Sequence, residues 1–276
     1  MGRADTAASC VLPARQALRA CRLCAHECGV NRLSGERGLC GAGADAHYFT
    51  AQIEVADELE LVPTFAIALN GCDLRCKFCI TGAMSWHARS GQDADTHALA
   101  TAARHALDEG ARSIMVLGGE PTIHLPTLLE FAAALPESAR LVLKTNGHCS
   151  QEARELLDGI FDDWVVDFKF GNDACALSLA RVPNYLSVLK ENLLWAAGHS
   201  RLIIRHLLLP GHVECCWAPI ARWIATYLPE AKVSLRDGYW PAWHARRMPP
   251  LNRPLPTPDG VRANAIAAEY ELNLIP

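Results

Sequence analysis

Cys72, Cys76 and Cys79 lie in the stretch Asn70-Gly-Cys-Asp-Leu-Arg-Cys-Lys-Phe-Cys79, with the spacing C-x3-C-x2-C. Three thiolates on one short loop can hold three corners of a cubane iron–sulfur cluster and leave the fourth iron without a protein ligand. An iron left open in this way can bind a substrate, whereas a structural site closes its coordination sphere with a fourth protein ligand. The competing reading is a zinc site completed by His87 or a distant cysteine, although zinc motifs favour paired C-x2-C units. A second group precedes it: Cys21-x2-Cys24-x3-Cys28, then Cys40 inside Gly35-Glu-Arg-Gly-Leu-Cys-Gly41. Four thiolates there can close a tetrahedral zinc site or complete a second iron–sulfur cluster, structural or electron-carrying in either case. The other five of the twelve cysteines, Cys10, Cys149, Cys175, Cys215 and Cys216, read as ordinary packed thiols. Cys215-Cys216 lacks the fuller cysteine set of a C-terminal auxiliary cluster.

The elements that must position these groups follow a regular order. Thr64–Leu69 is a short apolar run of buried-strand type that delivers the chain into the Cys72 loop. Further strands are expected at Ser113–Leu117, Arg140–Thr145, Trp164–Lys169, Leu202–Leu208 and Lys232–Arg236. Helical stretches alternate with them at Ala94–Gly110, Pro126–Leu135, Gln151–Leu157, Tyr185–Ala197 and Cys216–Tyr227. Strands alternating with helices imply a parallel sheet with right-handed crossovers. Six such units predict an α/β fold of partial (β/α)6 TIM-like barrel type, with a doubly wound open sheet as the competing architecture. The chain divides into a small Cys-rich metal-binding segment over residues 1–50, a barrel core over 60–245, and a C-terminal extension over 246–276. A final helix at Val261–Leu272 is placed to cap the barrel.

Barrel enzymes work at the carboxyl ends of their strands. Gly118-Gly-Glu-Pro121 follows the second strand: two glycines let a ligand approach the backbone, Pro121 fixes the turn, and Glu120 can meet an ammonium group. Lys144-Thr-Asn146 ends the third strand, Asp167 and Lys169 alternate on the fourth, and Arg205 lies on the fifth. A charged side chain in a strand needs a partner or solvent, so these residues either line a site or form ion pairs inside the barrel. His124 and His206 are placed near the same end, and Tyr239 and Trp240 follow the sixth strand.

A net charge of −4 over 276 residues gives no global reason to expect a polyanion partner. The first residues lack the pattern of a secretory signal, and no stretch approaches the roughly 18 apolar residues of a membrane span. A cytoplasmic protein without nucleic-acid or membrane partners is the expectation, and a reducing compartment keeps its thiols available to metals.

Cys72-x3-Cys76-x2-Cys79 after a first strand, followed by Gly118-Gly-Glu-Pro121, resembles the radical S-adenosylmethionine superfamily. Over Cys21 to Pro241 the chain resembles more closely the branch named after pyruvate formate-lyase activating enzymes that carries an N-terminal Cys-rich segment. The shared motifs include Asp167-Phe-Lys169, Val182-Pro-Asn-Tyr185, Ile204 to Gly211 and Tyr239-Trp-Pro241. The resemblance implies a 4Fe–4S cluster on Cys72, Cys76 and Cys79, with S-adenosylmethionine chelating the open iron. Phe78 would lie near the adenine, and Gly118, Gly119, Glu120, Pro121, Asn146, Asp167, Lys169 and Arg205 would surround the cofactor. It also implies reductive cleavage to a 5′-deoxyadenosyl radical that takes hydrogen from a peptide, protein or small molecule. A low-potential donor such as flavodoxin or ferredoxin would supply the electron. A glycyl-radical-enzyme activase is one specific form of this activity, and a non-enzymatic metal-binding module is the contrasting one.

Overall fold

The computed structural model describes residues 2–276. The strands are β1 His47–Glu54, β2 Thr64–Leu69, β3 Gln92–Asp93, β4 Ser113–Gly118, β5 Leu141–Thr145, β6 Asp163–Asp167, β7 Arg201–Leu207, β8 Lys232–Arg236 and β9 Asn273–Leu274. They form one nine-stranded sheet in the order β3-β1-β2-β4-β5-β6-β7-β8-β9. Pairing is parallel from β2 through β9, and the β3-β1-β2 edge is antiparallel. The helices are α1 Arg3–Ala17, α2 Ala83–Trp86, α3 Thr96–Asp108, α4 Leu125–Ala133, α5 Gln151–Leu156, α6 Asp173–Ala180, α7 Tyr185–His199, α8 Ala218–Tyr227 and α9 Thr257–Glu269. The protein is thus mixed α/β, with the six expected parallel strands at its centre.

Side-chain alternation divides this sheet into an outer and an inner face. Ile114, Val116, Leu141, Leu143, Trp164, Val166 and Ile204 face the helices within the main core. The alternate positions Met115, Val142, Val165 and Ile203 pack with Leu61 in a separate, fully buried apolar layer inside the sheet. Continuing the alternation toward the strand ends places Leu117, Lys144, Asp167 and Arg205 above that layer. The sheet curls: Lys144 on β5 and Ser234 on β8, three strands apart, both reach the carboxylate of Glu58. On a flat sheet those strands would stand about 14 Å apart, at roughly 4.8 Å per strand.

Several elements differ from the expectation. The fourth strand ends at Asp167 rather than Lys169: the Phe168 amide still donates to the Arg205 carbonyl on β7, but the Lys169 amide, on the β5 side, donates to the Tyr185 hydroxyl at 2.9 Å. The expected helix at Cys216 begins at Ala218, preceded by a widened π-turn over Val213–Trp217. The final helix runs beside α8, anchored by the Trp217 indole donating to the Ala263 carbonyl at 2.9 Å, and leads into β9 at the sheet edge. The N-terminal residues also contribute α1, which packs along α4 and places Ala7 and Ala14, with Leu18 just past its end, in the main core. Among the described residues, no helix is long and apolar enough to cross a membrane.

Candidate functional site

The strand ends surround a cavity of about 350 Å³, lined by Cys72, Cys76 and Cys79 together with residues from the four strands β4 to β7. The Cys72 loop leaves β2, which is buried along its whole length, so the base of the loop is fixed. Gly118 and Gly119 close the gap beside it. Gly118 has φ +136°, and a Cβ there would run into the Leu69 backbone; a Cβ on Gly119 would run into the Gly71 carbonyl. The Gly119 and Glu120 amides donate to the carbonyls of Leu69 and Gly71, at 2.8 Å each. The two turns interlock by backbone contact, and the glycines leave their cavity side bare.

Burial pushes the Cys72 thiol well above its ordinary range, with Asp73 adding to the effect. It pushes Cys76 up to about 12, against the pull of Lys169. Thiols in such surroundings become thiolates when a metal centre supplies the compensating positive charge. Among the described residues, neither His87 nor a fourth cysteine lines the cavity. This donor set fits a cluster that places each thiolate on its own iron and keeps one iron open.

Asp167 and Arg205 face each other by β6–β7 register, 3.3 Å apart, and Lys169 pairs with the other Asp167 oxygen. Burial alone would raise Asp167, but Lys169 and then Arg205 hold it at about 2, so it is ionised throughout the physiological range. Arg205 reaches Glu58 as well, at 3.3 Å, and Glu58 also meets Arg236 at 3.1 Å. The charged residues therefore line the cavity and also cross-link the barrel interior. Asp57 and Glu58, which complete this network with Lys144, were not singled out from the sequence. They lie in an irregular loop where no periodicity marks them.

Phe78 is buried against Phe170, with ring centroids 6.0 Å apart, and lines the cavity. Asn146 lines it too; its amide donates to Asp73 at 2.7 Å and points at the Cys72 sulfur at 3.8 Å. Glu120 is turned away from the cavity and fully buried. Its carboxylate accepts from the Thr122 amide and hydroxyl, the Thr145 hydroxyl and the Asn146 amide at 2.7–3.0 Å. Burial and then Asp73 push it up to about 7. Pro121 opens the buried turn Pro121–His124 and likewise does not line the cavity. His124 bonds the Asn70 carbonyl and His206 the Phe168 carbonyl, both outside the cavity lining. Tyr239, buried with its hydroxyl donating to the Leu251 carbonyl, and the exposed Trp240 also line the cavity.

The N-terminal cysteines dock beside the same loop. The backbones of Cys24 and Cys149 pair in an isolated antiparallel β-bridge, with Ala25 N–H bonding the His148 carbonyl and Ser150 N–H the Leu23 carbonyl. The His26 ring bonds the Asp73 carbonyl at 3.0 Å, and His148 meets the Asp73 carboxylate at 3.0 Å. Cys21, Cys24 and Cys40 are buried and Cys28 is exposed. Cys175, Cys215 and Cys216, set aside in the sequence as ordinary thiols, cluster around His212 away from the cavity. The spacing His212-x2-Cys215-Cys216 was the signal available.

A curled, mostly parallel sheet with a three-cysteine loop and a glycine turn at its carboxyl end defines a TIM-like α/β barrel protein. The chain belongs to the Radical SAM superfamily, whose family model matches residues 67–224. An uncharacterised protein of Methanocaldococcus jannaschii is 32% identical over 269 residues, covering 95% of this chain and 78% of that protein. Among solved structures, Streptococcus suis SuiB bound to its precursor peptide SuiA superposes with a TM-score of 0.56 at 17% identity, covering 74% of this chain. SuiB bound to S-adenosylmethionine gives 0.53 at 18% identity and 74% coverage. The present chain spans less than half of the SuiB chain, 46% and 47% in the two cases. These superpositions establish the shared fold. Membership of the superfamily implies a 4Fe–4S cluster and S-adenosylmethionine as cofactors.

Proposed function

We propose that this chain is a radical S-adenosylmethionine enzyme acting on a peptide or protein. Cys72, Cys76 and Cys79 would hold the 4Fe–4S cluster. The backbone of Gly118 and Gly119, with Asn146, Asp167, Lys169, Arg205 and Phe78, would hold S-adenosylmethionine. When bound, these groups supply reductive cleavage of the sulfonium to a 5′-deoxyadenosyl radical that abstracts hydrogen from the substrate. The protein's own part is positioning and shielding. Asp167, fixed by two cations, offers a carboxylate that does not titrate above acidic pH, and Phe78 covers one wall. Glu120 acts from behind: by gripping the Asn146 amide and Thr145 it ties the β5 end to the glycine turn.

The observation that carries this reading is the convergence of the three cysteines, the bare glycine turn and the Asp167–Lys169–Arg205 group on one cavity. A peptidic substrate is favoured by the rim, where Ile80 and Trp240, 80% and 63% exposed, offer apolar side chains beside the cavity. The SuiB likeness, a protein described with a precursor peptide, supports the same class. Glycyl-radical activation of a partner enzyme is the special case in which the substrate is a folded protein. We infer also that Cys21, Cys24, Cys28 and Cys40 hold a second metal centre. Four thiolates suit either a closed zinc site or an iron–sulfur cluster, and zinc and iron counts on wild type and a Cys21/Cys24 double variant distinguish the two.

Anaerobically reconstituted wild type given S-adenosylmethionine and a strong reductant should yield 5′-deoxyadenosine and methionine. Cys76→Ala should abolish both while leaving the fold intact by circular dichroism. Full cleavage by that variant would sink the assignment. A partner glycyl radical seen by electron paramagnetic resonance would single out the activase form.

A further inference from the structure

The loops that leave β6 and β7 carry another set of ligands, none of which lines the cavity. Cys175 sits in the first turn of α6, His212 follows β7, and Cys215 and Cys216 lie on the π-turn. Their sulfurs and the His212 Nδ1 all fall within 4.8 Å of one another. Nδ1 stands 3.6 Å from Cys175, 3.4 Å from Cys215 and 3.8 Å from Cys216. Cys215 stands 3.9 Å from Cys175 and 4.0 Å from Cys216. One zinc ion, with Zn–S about 2.3 Å and Zn–N about 2.0 Å in tetrahedral array, sets ligand edges of about 3.8 Å between sulfurs and about 3.5 Å between sulfur and nitrogen. The observed edges scatter around those values.

Hydrogen bonding explains the cluster poorly, because a single ring nitrogen faces three thiols and can accept from only one of them at a time. The backbone, by contrast, is shaped to present all four ligands. Both Cys216 and Trp217 amides bond the His212 carbonyl, and this widening brings the His212, Cys215 and Cys216 side chains to one side of the turn. Asn172 supports the set from behind. Its carbonyl accepts from the Cys175 amide at 2.8 Å, and its NH2 donates to the Cys215 carbonyl at 2.7 Å and toward the Cys175 sulfur at 3.3 Å. An amide donor aimed at sulfur is the usual outer support of a metal-bound thiolate.

We propose that Cys175, His212, Cys215 and Cys216 form a structural zinc site. Four protein ligands leave no open position, so the ion serves as a clip rather than a catalyst. Edges this short suit one shared ion, since a cubane spreads its thiolates over separate irons. The clip joins α6 to the turn before α8, and thereby fixes the two loops that follow Asp167 and Lys169 on one side and Arg205 on the other.

Zinc and iron counts on the anaerobically reconstituted full chain test this. Cys175→Ala/Cys215→Ala should lose one zinc per chain relative to wild type with iron unchanged. Equal zinc in both proteins, or a loss of iron in place of zinc, overturns the proposal. Should the double variant fail to accumulate, the wild type itself gives the answer through alkylation mapped by mass spectrometry. Cys215 is exposed, so it labels slowly while zinc is bound and faster after a zinc chelator. Equal labelling before and after the chelator overturns the proposal as well.

Discussion

Glu120 illustrates how a residue next to a site serves it without facing it. Its type and place in Gly118-Gly-Glu-Pro121 suggested contact with an ammonium group, yet its carboxylate is spent on four protein donors. Removing it would leave those donors buried without an acceptor, at about 1–3 kcal/mol for each that water cannot reach. Glu120→Ala is therefore expected to lower stability by about 3 kcal/mol or more and to release the Asn146 amide, read by denaturant unfolding. Glu120→Gln should fall between, because one oxygen keeps three donors while the new NH2 opposes Asn146. The cysteines and charged strand ends were legible because their spacing alone places them at one end of the barrel. The direction of Glu120 was not, because nothing local says which side of a tight turn a side chain takes.

The parallel strands are tied at their other end by Asp163, fully buried at the start of β6. It takes two-pronged contacts from Arg140 at 2.7–2.8 Å and from Arg201 on β7 at 2.8–2.9 Å. Burial would raise this carboxyl, but Arg201 and Arg140 together hold it below its ordinary 3.8. A lowered carboxylate pKa stabilises the fold fully above the unfolded value and loses that stabilisation as the pH falls below it. Asp163→Asn should thus cost about 1–3 kcal/mol at neutral pH, and the difference from wild type should shrink as melts are taken below pH 3.8. The strands themselves were readable from short apolar runs between helical patterns. The antiparallel β1 was not: it is half-exposed, carries polar residues such as Gln52 and Glu54, and is recruited only because β2 would otherwise be a bare edge.

For the molecule as a whole, Arg32 joins the Cys-rich segment to the barrel. It is 2% exposed and donates to the Gly43 carbonyl, to the Ile123 carbonyl at 2.7 Å and toward the Cys21 sulfur at 3.6 Å. Arg32→Leu should lower the melting temperature and speed alkylation of Cys24 and Cys40 in the metal-free chain, while labelling of Cys28, already exposed, stays unchanged. No local pattern announces such a join, since its two carbonyl acceptors, on Gly43 and Ile123, lie in a loop and far along the chain. The apolar layer of Met115, Val142, Val165 and Ile203, plugged by Leu61, has its own consequence. That layer floors the cavity, so the end flanked by the exposed Ile80 and Trp240 is the open side through which water, dioxygen and substrate can enter. Whatever seats against Ile80 and Trp240 also covers that side, and oxidative bleaching of the reconstituted protein in air should slow when the true substrate is added. Protection from oxygen can then serve as a search tool: candidate peptides can be ranked by how long the colour lasts, before any product is known.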